Sequence, residues 1–142
     1  MKAPSVHETV ILTLILAGSG VIGGLALTVG TPDPSCPRGE GIARTFTIIA
    51  DLDGYNGSKL RGGMEPSMTA SRCDTITIRL VNRDFQAHGL AVTFYAVNGI
   101  EVIKDDTQRI TFQAVKAGVF RVYCNTQCSV HNFMQSASLT IT

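Results

Sequence analysis

Apolar and polar side chains alternate with period two along residues 75–81, placing Ile76, Ile78 and Leu80 on one face and Thr75, Thr77 and Arg79 on the other. A strand with one buried face carries this pattern, so the spacing predicts a strand over residues 74–82. Stretches rich in Val, Ile, Thr and aromatic residues predict further strands over 44–50, 90–95, 108–113, 119–123 and 137–142. Turn signals separate them: residues 51–57, then Asn82-Arg83-Asp84, Asn98-Gly99 and Lys116-Ala117-Gly118. Residues 58–68, with Gly62, Gly63 and Pro66, predict a loop. The chain has no internal repeat, no low-complexity tract and no helical heptad. About seven short strands at this spacing predict an all-β domain, a Greek-key sandwich or barrel.

Residues 9–30 break the pattern. They are uncharged and apolar, and their length is close to the ~20 residues a helix needs to cross a bilayer. Pro32, Asp33 and Pro34 follow and stop a helix. A cleaved signal peptide competes with a retained anchor. Its apolar core is about 7–15 residues and ends at a small-residue cleavage site, and no A-x-A motif precedes Thr31. A retained transmembrane anchor is therefore the expectation. Gly20 and Gly24 give it a small-xxx-small face on which a second membrane helix could pack, or they are ordinary glycines of such a helix. The expected organisation is an anchor over 1–30, a Pro/Gly/polar linker over 31–43 and one β domain over 44–142.

Composition adds limits more than assignments. The chain has 142 residues and a formal net charge of +1, with no basic or acidic run, so charge points to neither nucleic acid nor a strongly charged partner. Fourteen glycines suit tight turns. Of the 4 cysteines, Cys36 and Cys73 have no ligand-like neighbours; a disulfide in an oxidising compartment and two unrelated buried thiols both fit them.

The other pair lies in the chemically densest stretch, Cys124-Asn125-Thr126-Gln127-Cys128-Ser129-Val130-His131-Asn132-Phe133-Met134. A short-loop disulfide would explain the cysteines alone. It would not explain an imidazole and a thioether at regular spacing behind them, whereas thiolate, imidazole and a weak axial thioether together are what copper takes in cupredoxin sites. The chain shows no nucleophile–base pair, no carboxylate dyad and no open catalytic metal position, so no independent turnover is expected.

The residues from Asn82-Arg83-Asp84 through His88-Gly89 to Gly118-Val119-Phe120-Arg121-Val122-Tyr123-Cys124 and on to Met134 resemble the cupredoxin domain of subunit II of haem-copper oxidases, which houses the binuclear CuA centre. An anchor followed by a β domain is similar to the short, single-span form of that subunit. Residues 44–71 match only loosely. The family pattern is C-x3-C-x3-H-x2-M. Here Cys124-x3-Cys128-x2-His131-x2-Met134 is one residue short before the histidine, and Asp84 and His88 are separated by three residues where the family usually has two.

The resemblance implies two copper ions bridged by Cys124 and Cys128. His88 and Met134 would bind one copper, and His131 with the backbone carbonyl of Thr126 the other. The family often has a glutamate at the Thr126 position that also serves a magnesium ion; threonine cannot, so no such magnesium is expected. The implied role is electron transfer from a soluble carrier, a c-type cytochrome or a small copper protein, to a haem-containing subunit in the membrane. Reduction of oxygen or nitric oxide would belong to that partner. The same reading puts the β domain on the extracytoplasmic side, with slight support from Lys2 as the one basic side chain before the apolar stretch.

Two alternatives stay open. The run Cys128-x2-His131-x2-Met134 has the spacing of some single-copper blue proteins, although Gly118 marks Cys124 as the strand-end cysteine. A copper-delivery or structural subunit with a degenerate site is the other. The family's electron donors dock beside an exposed tryptophan; this chain has none, so Tyr55, Phe85 or Phe133 either takes that place or belongs to the core.

Overall fold

The computed structural model describes residue 36 and residues 40–142. The expected anchor and most of the linker lie outside the described residues, and among the described residues no helix is long and apolar enough to cross a membrane. Nine strands follow in order: β1 Ala43–Asp51, β2 Gly54–Tyr55, β3 Ser67–Ala70, β4 Thr75–Asn82, β5 His88–Val92, β6 Ala96–Val102, β7 Thr107–Gln113, β8 Gly118–Tyr123 and β9 Ala137–Ile141. They form two mixed sheets, one ordered β2-β1-β4-β7 and the other β3-β9-β8-β5-β6.

β4 is the spine of the first sheet. Its alternation holds in three dimensions, with Ile76, Ile78 and Leu80 fully buried. It pairs in parallel with β1, Ile48 opposite Leu80, and antiparallel with β7. The second sheet contributes Leu90, Val92, Val122, Leu139 and Ile141 to the same apolar cluster. The all-β expectation is thus met by a two-sheet sandwich around one core.

Two local expectations are corrected. Residues 58–68 are not loop throughout: Ser58–Arg61 forms a 3-10 turn and Ser67–Ala70 is an edge strand paired in parallel with β9. Met68 and Ala70 carry the buried face of that strand, too short a pattern to register as periodic. Asn98-Gly99 is not a turn but the middle of β6. The chain reverses instead around Phe94, whose φ of 72° is left-handed and whose ring packs 4.9 Å from that of Tyr95. Gly99 also has positive φ, and a Cβ there would sit 2.5 Å from the Leu90 carbonyl oxygen and 2.7 Å from Asn125 Nδ2. Its glycine makes room for a neighbouring loop.

Cys36 and Cys73 form a disulfide. It fastens the segment before β1 to the start of β4. Asp74, beside it, accepts the N–H groups of Ile42 and Ser71 and the guanidinium of Arg44.

Candidate metal centre

Where β4 leads into β5, Asn82 and Asp84 are polar yet buried, and their side chains are hydrogen-bonded. Asn82 Nδ2 donates to the carbonyls of Gln86 and Val102 at 2.7 and 2.9 Å, and the Asp84 N–H donates to Asn82 Oδ1 at 2.8 Å. This fixed turn delivers His88 as the first residue of β5, with no solvent exposure. Nε2 of His88 lies 2.9 Å from Asp84 Oδ2. A carboxylate can only accept, so Nε2 carries the proton and the ring's remaining lone pair is at Nδ1. That atom is buried and has no hydrogen-bond partner.

Opposite it, β8 ends at Tyr123 and the chain enters the loop holding the other candidates. The loop is closed by the Cys124 N–H donating to the Met134 carbonyl at 2.7 Å, and by a 3-10 turn over His131–Phe133. It is also tied to the rest of the sheet. Gln86 grips Ser129 twice, Nε2 donating to Oγ at 2.7 Å and Oε1 accepting the Ser129 N–H at 3.0 Å. Asn125 Nδ2 donates to the Asn98 carbonyl at 3.0 Å. Gly89 permits this approach: a Cβ there would lie 2.1 Å from Asn125 Oδ1.

The result brings the ligand atoms of His88, Cys124 and Cys128 within 4.8 Å of one another. Both cysteines are free and buried. The Gly89 N–H donates to the Cys124 sulfur at 3.1 Å. The Thr126 carbonyl oxygen lies 3.1 Å from the Cys124 sulfur and 3.1 Å from His131 Nδ1, so His131 joins the group through that carbonyl. Met134 is fully buried on the same loop, bonded through its backbone to Cys124 and to the His131 carbonyl.

The protonation energetics are those of a site short of positive charge. Burial raises the Cys124 thiol, but the neighbouring His88 ring and the Gly89 N–H outweigh it and leave the pKa below the usual thiol value. His88 moves the other way: burial opposes its charge, while Cys124 and Asp84 raise its pKa. Cys128 is pushed up to about 11, by burial and then by the neighbouring Cys124. One sulfur is therefore easier to ionise than the other while only protons are present. A cation between them favours ionisation of both, because thiolate is the ligating form. An unpartnered imidazole nitrogen, two uncrosslinked sulfurs, a backbone carbonyl and a buried thioether on the closing loop are a donor set that suits copper.

Sequence reasoning did not find several contributors. Asp84 was legible as part of a turn, but its partner was not: a carboxylate four residues before a histidine was the available signal. Gln86, Gly89 and Asn125 gave none. Of the three aromatics considered for donor docking, Tyr55 is fully buried, Phe133 is half-buried and Phe85, beside Asp84, is 68% exposed.

The sequence matches no protein-family model and no curated protein. Among solved structures, the chain is similar to a haem-copper terminal oxidase chain determined by cryo-electron microscopy, with a TM-score of 0.53 and 17% identity over 96% of this chain and 97% of that one. It is similar to the periplasmic domain of subunit II of the cytochrome oxidase of Bradyrhizobium japonicum, TM-score 0.54 and 18% identity, covering 75% of this chain and 87% of that one. It is also similar to the copper nitrite reductase of Nitrosomonas europaea, TM-score 0.57 and 17% identity over 70% of this chain, spanning 41% of the reductase. At these identities the likeness establishes the fold: the described chain is a cupredoxin-like β-sandwich.

Proposed function

We propose that this chain is an electron-transfer protein whose β domain carries a binuclear copper centre of the CuA type. The observation that carries the reading is the unpartnered Nδ1 of the buried His88, facing a pair of free buried thiols with all three ligand atoms within 4.8 Å. An empty polar nitrogen in a protein interior costs about 1–3 kcal/mol, which a bound metal would recover. In this reading Cys124 and Cys128 would serve both ions, His88 and Met134 would hold one of them, and His131 with the Thr126 carbonyl would hold the other. Copper bound there would supply one-electron redox chemistry.

The protein's own part is to hold the donors still. Asp84 fixes the tautomer and orientation of His88, and outer partners of this kind raise ligand basicity. The sandwich and the closed loop exclude water and limit rearrangement between oxidation states.

Around this centre the reading is of residues 1–30 as a membrane anchor, 31–43 as a linker and 44–142 as an extracytoplasmic domain. Electrons would come from a soluble carrier, a c-type cytochrome or small copper protein, and leave to a haem-containing membrane partner such as a terminal oxidase. The similarity to a haem-copper oxidase chain over 96% of the sequence supports this arrangement. Anaerobic titration of the reduced chain with copper, followed by metal counting, tests the centre. Saturation at two ions per chain is expected. Saturation at one would favour a mononuclear blue site, and failure to saturate would favour a degenerate site.

A further inference from the structure

Residues 55–65, from the end of β2 into the connection to β3, reach the surroundings of the candidate centre at three points, although none of their side chains is a ligand candidate. The Tyr55 hydroxyl donates to the carbonyl of Gly89, directly after His88. Ser58 Oγ donates to the carbonyl of Phe133, directly before Met134. Glu65 does most: Oε1 accepts the Gln135 N–H at 2.9 Å, and Oε2 accepts the N–H groups of Ser136 and Ala137, both at 2.8 Å. One half-buried carboxylate thus neutralises three consecutive backbone donors at the point where the ligand loop turns into β9. Those donors would otherwise have only water or nothing, and charge-assisted bonds to a carboxylate are about twice as strong as neutral ones.

We propose that Glu65 is a positioning residue for the centre, a latch that fixes the Met134 end of the ligand loop and so sets where the Met134 thioether and His131 stand. Met134 is the residue immediately before the three captured amides, and its own backbone groups bond to Cys124 and His131. Releasing Gln135, Ser136 and Ala137 would therefore loosen both ends of the loop together. The latch belongs to the polypeptide and is testable without metal; its effect on copper rests on the function proposed above.

Two variants and two states of the full chain decide it. Glu65→Ala removes all three acceptors, and Glu65→Gln keeps the shape but replaces one acceptor oxygen by an amide donor facing N–H groups. In the reduced, metal-free protein, both variants are expected to speed hydrogen exchange at Gln135, Ser136 and Ala137 by at least about tenfold. The Met134 methyl and His131 ring resonances should shift, while amides of β4 stay protected. In the copper-loaded protein, the absorption spectrum and reduction potential should move in the same order, Ala more than Gln. Unchanged exchange, or accelerated exchange with unmoved Met134 and His131 resonances, overturns the latch. Moved resonances with an unaltered copper spectrum and potential overturn its role in positioning the metal. If the unaltered chain takes up no copper, the functional reading fails on its own, and the metal-free measurements still decide the latch.

Discussion

One cysteine pair sits just before β4 and the other on the loop after β8, and the chain treats them differently. Cys36 and Cys73 are joined, next to a carboxylate that caps two backbone N–H groups and pairs with Arg44. Cys124 and Cys128 lie close together and are free. The difference lies in what surrounds them. The open pair has a buried histidine with a vacant nitrogen, an N–H aimed at one sulfur and a carbonyl within reach, so the loop is shaped to present sulfur to something other than sulfur.

The strongest way to break the comparison is to exchange serine for cysteine on each side. Cys124→Ser and Cys128→Ser should each abolish two-ion copper binding while the chain still folds. Cys73→Ser should leave copper stoichiometry at two and instead lower unfolding free energy by about 2–4 kcal/mol, read by denaturant melts under non-reducing conditions. Copper loss in Cys73→Ser, or retained binuclear binding in Cys128→Ser, would erase the distinction.

A smaller effect separates ligand from orienting group. Asp84→Ala frees Nε2 of His88 and should weaken copper binding about 10–100-fold, measured by competition with a chelator. Asp84→Asn, which can still accept through its amide oxygen, should weaken it less. Equal affinity in all three chains would mean that His88 needs no orienting partner.

The smallest effect belongs to the joined end. Hydrogen bonds from the Ile42 N–H, then from Arg44 and the Ser71 N–H, lower the Asp74 carboxyl from 3.8 to about 2. A carboxyl whose folded pKa is depressed stabilises the fold above its unfolded pKa, and that contribution fades as pH falls from about 4 to about 2. Asp74→Asn should therefore flatten the acid limb of the stability curve in that window, without changing copper affinity at neutral pH. An unchanged acid limb would contradict the capping role.

What the sequence made legible follows from how local each signal is. The alternation of β4 is a property of eight consecutive residues, and the Cys124–Met134 motif of eleven, so both can be read by eye. His88 could be connected to that motif only through resemblance, since nothing local says that β5 runs beside β8. Glu65 is further from legibility, because its partners lie about seventy residues away and are backbone amides without side-chain identity. Gly99 misled for the opposite reason: Asn-Gly is a strong local turn signal, but a long-range demand, space for Asn125, put the glycine inside a strand. β3 was missed because four residues on a sheet edge bury only two side chains.

The central claim is that both sulfurs of the open pair share metal with the imidazole of His88. Electron paramagnetic resonance of the copper-loaded, full-length chain tests it most directly. The expected spectrum has the unpaired electron coupled equally to two copper nuclei, with that pattern lost in both Cys124→Ser and Cys128→Ser. Coupling to a single nucleus, or a pattern that survives Cys128→Ser, would contradict it.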